Sequence, residues 1–522
     1  MARGGTLELS DLYFGTIDAK NELRGDDPES RARFKEAFIT PQNIAEQDFL
    51  DGTKFIVYGP KGTGKTALIR YIGLLAQEEG AEVRFVLFRE HIAGQERQLM
   101  KQAANAVDVS TAGPTPEAED YEEVWLWLFH RILADVLAKS ARPSAIERDS
   151  NYDGYRRVVT IGAGEGNGLS RLLPSVKKGK LEVGAIGTVP KGSLDLEFEW
   201  VGKNRARVDF RDLLRAAGEA MSLLRPTEGE VYLMLDELEL TLGQKTRYQR
   251  DVQMIRDLIV SAAKFNARCS QLHLPVHLLV AVRSEVLASV ACSGKEINKI
   301  VEDFGSQITW NYPGDDPSHP LLQIVARRIN SSEKRAGCKL TPPDNLWEKF
   351  FPAQVQQTPV RQYILHQTWY RPRDIVRLFG SICQAFPHDS AFSHAHFDTI
   401  RRDYSLKVWN ESIEELRTTY SVEEIDGVKR MLTGYRPFFT LDELSERAQA
   451  MKPIYRNVET LLKKRLPGDI LTDLYRVGVV GNDYLDHRSK FRQRWSFRGD
   501  SEPLLDKRVA VHRGLWAVLS LN

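Results

Sequence analysis

A glycine-rich run at residues 59–66, GPKGTGKT, contains the residue types that bind a polyphosphate. Its spacing is G-x-x-x-x-G-K-T, in which glycines let consecutive backbone N–H groups turn toward phosphate oxygens. Lys65 is placed to reach the β- and γ-phosphates, and the Thr66 hydroxyl is placed to bind a magnesium ion. The predicted phosphate-binding residues are the motif and the alanine after it: Gly59, Pro60, Lys61, Gly62, Thr63, Gly64, Lys65, Thr66 and Ala67.

Two acidic residues end a second apolar run. Residues 231–237 read VYLMLDE, a predicted strand that finishes with Asp236 and Glu237. A carboxylate at the carboxyl end of a strand faces the ligand crevice of an open α/β sheet. We therefore expect Asp236 to hold magnesium and Glu237 to polarise the water that attacks the terminal phosphate.

Two arginines are candidates for contact with a γ-phosphate. Arg283 follows an apolar strand-like run, and Arg373 lies in the first turn of a predicted helix. A cation in either place would stabilise charge on a transferring phosphoryl group. Both join Lys65 and Glu237 as candidate catalytic residues. The alternatives are a surface pair of Arg283 with Glu285 and a plain helix-start arginine at 373.

The elements that must position these residues alternate between strand and helix. Helical periodicity, as at Tyr121–Leu137 and Asp251–Lys264, separates the strand-like runs, which predicts an α/β fold with a parallel sheet covered on both faces. Residues 149–207, rich in Gly and Lys, interrupt this pattern, and we expect an insertion there, a β-hairpin or a mobile loop. The strand-like runs are Phe55–Tyr58, Val83–Phe88, Val231–Leu235, Val276–Val282 and, more weakly, Gln307–Trp310.

The sequence after Pro313 has mainly helical periodicity, as at Leu321–Glu333 and Pro372–Ala385. Near the C-terminus, helices that start at Thr440 or Asp442 precede a small two-stranded element with short runs at Arg494–Phe497 and Val509–Val511, which suggests a winged helix. The expected domains are an N-terminal lead segment (1–48), a nucleotide-binding core (49–312), a helical lid (313–414) and a winged-helix-like domain (415–522).

Length, charge and cysteine content limit the class of protein. A chain of 522 residues is too long for one core and predicts several domains. Its 72 Lys and Arg nearly balance 71 Asp and Glu, so net charge gives no general attraction to nucleic acid or anionic lipid. Four scattered cysteines fit neither a disulfide framework nor a zinc site, and no apolar run is long enough to cross a bilayer. We expect a cytoplasmic protein with no membrane partner.

One basic stretch near the C-terminus has two interpretations. Its cations and neighbouring tryptophan could contact phosphates and bases, which would make nucleic acid a partner of this domain. Alternatively, the stretch is a solvated hairpin whose aromatic residues face a core. The residues concerned are Arg488, Lys490, Arg492, Arg494 and Trp495.

Four segments in order, GPKGTGKT, VYLMLDE, VAVRSE and YRPRD, resemble the AAA+/STAND lineage of P-loop ATPases, close to the Cdc6/Orc-like group with a C-terminal winged helix. The Tyr13-Phe14-Gly15 region is similar to a bacterial family of stand-alone P-loop ATPases. The resemblance implies a P-loop NTPase core with a parallel sheet, a helical lid and a winged helix, and ATP and Mg²⁺ as ligands. It also implies a sensor-1 residue at Arg283 and a sensor-2 arginine at Arg373.

The sequence departs from the AAA+ pattern in one respect. Ring-forming members supply an arginine finger before the fifth strand, but no arginine lies between Arg283 and Arg327. An arginine at position 283 is also more similar to STAND proteins than to motors. A hexameric motor is therefore disfavoured.

The resemblance implies a slow ATPase switch whose nucleotide state controls assembly or a partner in bacterial defence or signalling. Its partner would be a second copy of the chain or a separate effector protein. The alternative is an ATP-dependent DNA-binding loader or remodeller of the Cdc6/Orc kind. A switch would change oligomeric state with nucleotide, whereas the rate of a loader should respond to DNA.

Overall fold

The computed structural model describes residues 7–24, 27–88, 92, 94–108, 121–140, 145–161, 176–177, 180–183, 199–200, 206–238, 245–291, 297–312, 317–417, 419–500 and 502–521. The chain divides into two compact units. The sheet unit comprises residues 43–60 and 65–308, and the helical unit comprises residues 1–42, 61–64 and 309–522.

The strands are numbered in chain order. They are β1 Ile56–Gly59, β2 Glu82–Leu87, β3 Val176–Lys177, β4 Lys180–Val183, β5 Glu199–Trp200, β6 Ala206–Asp209, β7 Val231–Leu238, β8 Val276–Arg283, β9 Gly305–Gln307, β10 Gln354–Val355, β11 Thr358–Pro359, β12 Phe438–Phe439, β13 Val480–Leu485, β14 Phe491–Arg494 and β15 Val509–Val511.

The α-helices are numbered in the same way. They are α1 Pro28–Ala37, α2 Glu46–Leu50, α3 Lys65–Glu78, α4 Gly94–Asp108, α5 Glu122–Lys139, α6 Ser150–Thr160, α7 Phe210–Met221, α8 Lys245–Gln271, α9 Ser284–Ala291, α10 Ile297–Phe304, α11 Pro320–Arg335, α12 Pro343–Phe350, α13 Val360–Gln367, α14 Pro372–Ala385, α15 His394–Leu416, α16 Val422–Leu432, α17 Leu441–Met451, α18 Arg456–Lys464 and α19 Pro467–Arg476.

A five-stranded parallel sheet forms the centre of the sheet unit, in the order β2-β7-β8-β1-β9. The predicted α/β class with a parallel sheet is confirmed, although the fifth strand begins at Gly305, two residues before the predicted run. From β1 the chain crosses to the far edge at β2, whereas from β8 it continues to β9 on the other side of β1. Adjacent strands whose connections leave in opposite directions open a crevice at their carboxyl ends. The segment after β1 therefore begins at a place suited to ligand binding.

Helix α3 is held close to the sheet. Leu68, Ile69 and Ile72 are buried on its inner face. At Gly73 any Cβ would lie 2.8 Å from Cζ of Phe85 on β2, so a larger residue would push the helix outward. This close packing fixes the start of α3 relative to the carboxyl end of β1.

The region 149–207 contains more structure than the predicted hairpin or loop. Its first part is α6, capped by Asp149, whose carboxylate accepts the N–H groups of Asn151 and Tyr152 at 2.9 Å. Tyr155 and Val158 of this helix are buried in the core. The described strands beyond it form an antiparallel sheet, β3-β4-β6-β5, in which β3 and β4 pair as a hairpin. Residues 162–175, 178–179, 184–198 and 201–205 of the predicted insertion lie outside the described residues.

The helical unit includes the described part of the N-terminal segment. The Leu9 N–H donates to the Asp389 carbonyl at 2.7 Å, and the ring of Phe14 stacks on Phe379 with centroids 4.7 Å apart. A buried ion pair between Glu22 and Arg328, at 3.0 Å, joins the same segment to α11. Residues 7–24 and 27–42 therefore pack as part of the helical unit.

The C-terminal part of this unit contains four helices and an antiparallel sheet. The side chain of Thr440 accepts the N–H of Glu443 at 3.3 Å and caps α17, as the sequence predicts. The sheet has four strands in the order β12-β15-β13-β14. The predicted two-stranded element was thus too small, because β12 and β13 were missed. Among the described residues, no helix is both long and apolar enough to cross a membrane.

Candidate phosphate-binding site

The predicted phosphate loop connects β1 to α3, the strand-to-helix context that its motif requires. In the sheet unit, Nζ of Lys65 donates to the carbonyl oxygens of Gly59 and Pro60, each at 2.8 Å. The ammonium group is therefore held by the first two residues of the loop.

Two glycines of the loop have a backbone conformation that other residues adopt at a cost. Gly62 has φ +83° and Gly64 has φ +94°. A side chain at either position would strain the loop, because L-residues with positive φ clash with their own backbone. The glycine spacing in the sequence thus corresponds to two actual turns of the chain.

Asp236 lies in the carboxyl half of β7 and is buried. Desolvation raises the pKa of its carboxyl group. The Thr66 side chain, the Glu237 N–H and the charges of Lys65 and Arg70 act in the opposite direction, and the net shift is upward. Asp236 therefore lies close to the two loop residues to which the motif assigns magnesium and phosphate contacts.

The buried carboxylate of Asp236 fits a divalent cation. Its Oδ1 accepts the Glu237 N–H at 2.7 Å, whereas its buried Oδ2 accepts no hydrogen bond from a described residue. A buried carboxylate oxygen without a partner is costly, and a hard cation or its water shell would satisfy it. Asp236 and Thr66 are thus suitable residues to hold Mg²⁺.

Glu237 occupies a β-bulge. Leu235 pairs with Val280 and Leu238 with Val282, so Asp236 and Glu237 together face a single residue of β8. Glu237 has φ +60°, which is uncommon for a residue other than glycine. Bulges redirect side chains, and strained residues cluster at functional sites. The acidic pair is therefore placed by local geometry that a regular strand would not provide.

Arg283 ends β8, and its Cα pairs with that of Gly59 in the parallel ladder. Its side chain is 27% exposed, and its guanidinium lies 3.9 Å from the Glu285 carboxylate. That distance is too long for a hydrogen bond. Arg283 thus lies at the carboxyl edge of the sheet, where the candidate loop begins.

Residues 61–64, the tip of the loop, belong to the helical unit and contact the start of α14. The Arg373 N–H donates to the Gly62 carbonyl at 3.4 Å, and Nε1 of Trp310 donates to the Thr63 carbonyl at 2.8 Å. The Arg373 guanidinium pairs with Glu411 at 2.8 Å. Arg373 is thus beside the loop tip, with a carboxylate as its partner.

Sequence reasoning missed two residues of this cluster. Arg371 lies two residues before Arg373, and its Cδ would be 3.4 Å from a Cβ at Gly62. Glu411, on α15, also contacts Lys61 at 3.6 Å. Arg371 belongs to the same YRPRD run, so the run itself was the available signal. No local pattern marks Glu411, because it follows the run by more than thirty residues.

The turn before Arg371 is strained and firmly packed. Trp369 has φ +45° and Tyr370 has φ +49°. The Trp369 ring stacks on His512 with centroids 3.4 Å apart, and its Nε1 donates to the Gly478 carbonyl at 2.8 Å. The C-terminal part of the helical unit therefore holds the turn that leads to the loop contacts.

The hairpin formed by β13 and β14 has exposed cations, and a buried tryptophan follows it. Arg488, Lys490 and Arg492 are exposed, and Trp495 is buried. Arg492 pairs with Asp486 at 2.9 Å, and Arg494 pairs with Asp500 at 3.3 Å. Part of the positive charge is thus balanced by carboxylates in and just after the hairpin.

Residues 319–412 match the family model of the FunZ-associated C-terminal helical domain. The matched region runs from α11 into α15 and includes Arg373 and Glu411. No curated protein matches the chain.

Proposed function

We propose that this protein binds ATP with Mg²⁺ at residues 59–67 and hydrolyses it slowly. The observation that best supports this proposal is Asp236, a buried carboxylate in the carboxyl half of β7 whose Oδ2 has no hydrogen-bond partner among the described residues. Thr66 and Lys65 of the loop both act on this carboxylate, so three residues predicted from two separate motifs lie close together in one unit. Their chemistry suits a phosphoryl-transfer site.

Each residue of the proposed site has a defined task. Backbone N–H groups of the loop and the Lys65 ammonium bind phosphate oxygens, and the N-terminus of α3 adds its positive dipole end. When bound, Mg²⁺ would neutralise phosphate charge, with Thr66 and Asp236 as the residues that hold it. Glu237 orients and polarises the attacking water.

The two arginines are proposed to distinguish ATP from ADP. Arg283 would act from the carboxyl end of β8, and Arg373 from the start of α14. Each is next to the loop within its own unit, through Gly59 and Gly62 respectively. A cation that contacts only the γ-phosphate stabilises the ATP-bound state alone, which is the requirement for a nucleotide-controlled switch.

We propose that the C-terminal module, a winged-helix-like domain, serves this switch as a protein-contact surface, for a second copy of the chain or an effector. Leu485 and Phe491 pair across the β13–β14 hairpin and are 65% and 57% exposed. Helix α19, which would enter a DNA groove in a winged helix, carries the exposed Asp469 near its start. A carboxylate there would repel the phosphate backbone.

Turnover by a Glu237→Gln variant tests the proposed function. Phosphate release from ATP should fall by at least about 100-fold, because the water loses its orienting base, while ATP binding is retained. Glu228→Gln, an exposed residue in the turn before β7, is the matched control and should hydrolyse ATP like the wild type. Equal rates in all three proteins would contradict the proposal.

A further inference from the structure

The carboxylate of Glu411 is shared by three cations within the helical unit. It lies 3.6 Å from Nζ of Lys61 in the loop and 2.8 Å from Nη1 of Arg373. It also pairs closely with Nη2 of Arg377 on the same face of α14. One side chain on α15 thus joins the loop tip to α14.

This cluster is largely shielded from water. The side chains of Lys61, Glu411 and Arg377 are 11%, 14% and 10% exposed. Charges in such surroundings interact more strongly than surface pairs, and each contact with the carboxylate is a charge-assisted hydrogen bond or ion pair. Burial by itself would raise the pKa of Glu411, but Arg377, Arg373 and Lys61 hold that pKa well below its ordinary value. The carboxylate therefore remains charged across the physiological range of pH.

The neighbouring acidic residues, Asp374 and Glu414, do not share this arrangement. Asp374 pairs with Arg377 at 2.7 Å and does not contact the loop lysine in the described structure. Glu414 lies 3.2 Å from Lys61, but its side chain is 68% exposed, so solvent screens that pair. Among the described residues, Glu411 is thus the largely shielded carboxylate that faces both Lys61 and Arg373.

Any phosphate that recruits Arg373 must compete with this carboxylate. A γ-phosphate offers the guanidinium a second anion, and the two anions repel each other at short range. A diphosphate held by the loop backbone and Lys65 would meet less of this competition. The cost therefore applies chiefly to the nucleotide whose last phosphate reaches the arginine.

We propose that Glu411 is an internal competitor for Arg373 that reduces the preference of this site for ATP over ADP. This inference rests on the proposed function, because it assigns a specificity-determining residue to the same nucleotide site. The residue acts through Arg373 and Lys61 and is a positioning residue. With such a competitor, the site needs a higher ratio of ATP to ADP before it is occupied mainly by ATP.

The test measures dissociation constants of Mg·ATP and Mg·ADP by calorimetry for the wild type, Glu411→Gln and Glu414→Gln. Loss of a competing charge-assisted contact should tighten ATP binding by Glu411→Gln by about tenfold and ADP binding by less than about twofold. Glu414→Gln should keep the wild-type ratio of ATP affinity to ADP affinity. In an Arg373→Ala background, Glu411→Gln should no longer change the ratio, which a merely structural role would not predict.

Folding of each variant is checked by circular dichroism. Should Glu411→Gln not fold, Glu411→Asp replaces it, since the shorter side chain keeps the charge but withdraws it from the loop. The ratio of ATP affinity to ADP affinity of Glu411→Asp should then rise by more than about twofold. An unchanged or lowered ratio in the folded variant would overturn the inference while leaving the proposed function intact. A wild-type protein that binds neither nucleotide would overturn both.

Discussion

Gly59 and Arg283 are paired across the ladder between β1 and β8, so the first residue of the candidate phosphate loop lies beside the last residue of β8. The pairing follows from the sheet order, in which β8 lies between β1 and β7. An arginine is thereby placed at the carboxyl end of the sheet without any sequence proximity to the loop.

We expect Arg283→Ala to lose discrimination between ATP and ADP rather than nucleotide binding as a whole. Removal of a contact made only with the γ-phosphate should weaken ATP binding by about tenfold, or about 1.4 kcal/mol, and leave ADP binding nearly unchanged. Calorimetry with both nucleotides measures the ratio. Arg225→Ala, at the opposite end of the strands and 65% exposed, is the control. An unchanged ratio in Arg283→Ala would exclude the sensor role.

Several elements could be predicted from sequence because their signals are local. Helix α14 has the predicted bounds, Pro372–Ala385, since a proline starts it and apolar residues repeat at helical spacing. The acidic end of β7 likewise follows from an uninterrupted apolar run. These patterns depend only on the segment itself and on the face that it buries.

Other features could not be predicted because they depend on distant partners. Strand β13 contains Gly481, Asn482 and Asp483, which resemble a turn in sequence. In the fold the Asn482 amide donates to the Leu504 and Arg508 carbonyls, and Asp483 pairs with the Arg508 guanidinium. The bulge at Glu237 and the position of Glu411 beside Lys61 are also consequences of tertiary packing.

The ionised carboxyl group of Asp236 should lower the stability of the folded protein at neutral pH. Because burial raises its pKa in the folded state, the native protein binds this proton more tightly than the unfolded chain. This loss of stability is absent below the ordinary carboxyl pKa. It grows as pH rises toward the raised pKa of the folded state and is complete above that pKa. Asp236→Asn should therefore raise the thermal midpoint more at pH 7 than at pH 4.

The same substitution should abolish the effect of magnesium. Mg²⁺ with ATP should raise the thermal midpoint of the wild type, and that increase should disappear in Asp236→Asn. Asp212→Asn, at a helix residue whose side chain is half exposed, serves as the control for both readouts. Asp236→Asn with lower stability at pH 7 than the wild type, or with an intact response to Mg·ATP, would refute the assignment.

The C-terminal cations should contribute little to nucleic-acid binding. The full chain in which Arg488, Lys490, Arg492 and Arg494 are changed to glutamine should match the wild type in fluorescence anisotropy with labelled duplex DNA. We expect weak binding by both proteins, since Arg492 and Arg494 already pair with acids and α19 carries the exposed Asp469. Tight wild-type binding that weakens steeply with salt and is lost in the variant would favour a DNA-binding loader instead.

The most direct test of nucleotide binding is calorimetric titration of Mg·ATP into the wild type and Lys65→Ala. The wild type should bind with a stoichiometry of about one ATP per chain, as expected for one phosphate loop. Lys65→Ala should lose at least about 100-fold in affinity, because a cation in contact with phosphate oxygens is removed. Lys139→Ala, an exposed lysine on α5, should bind as the wild type does. Equal affinity for Mg·ATP in Lys65→Ala and the wild type would contradict the assignment of residues 59–67 as the nucleotide site.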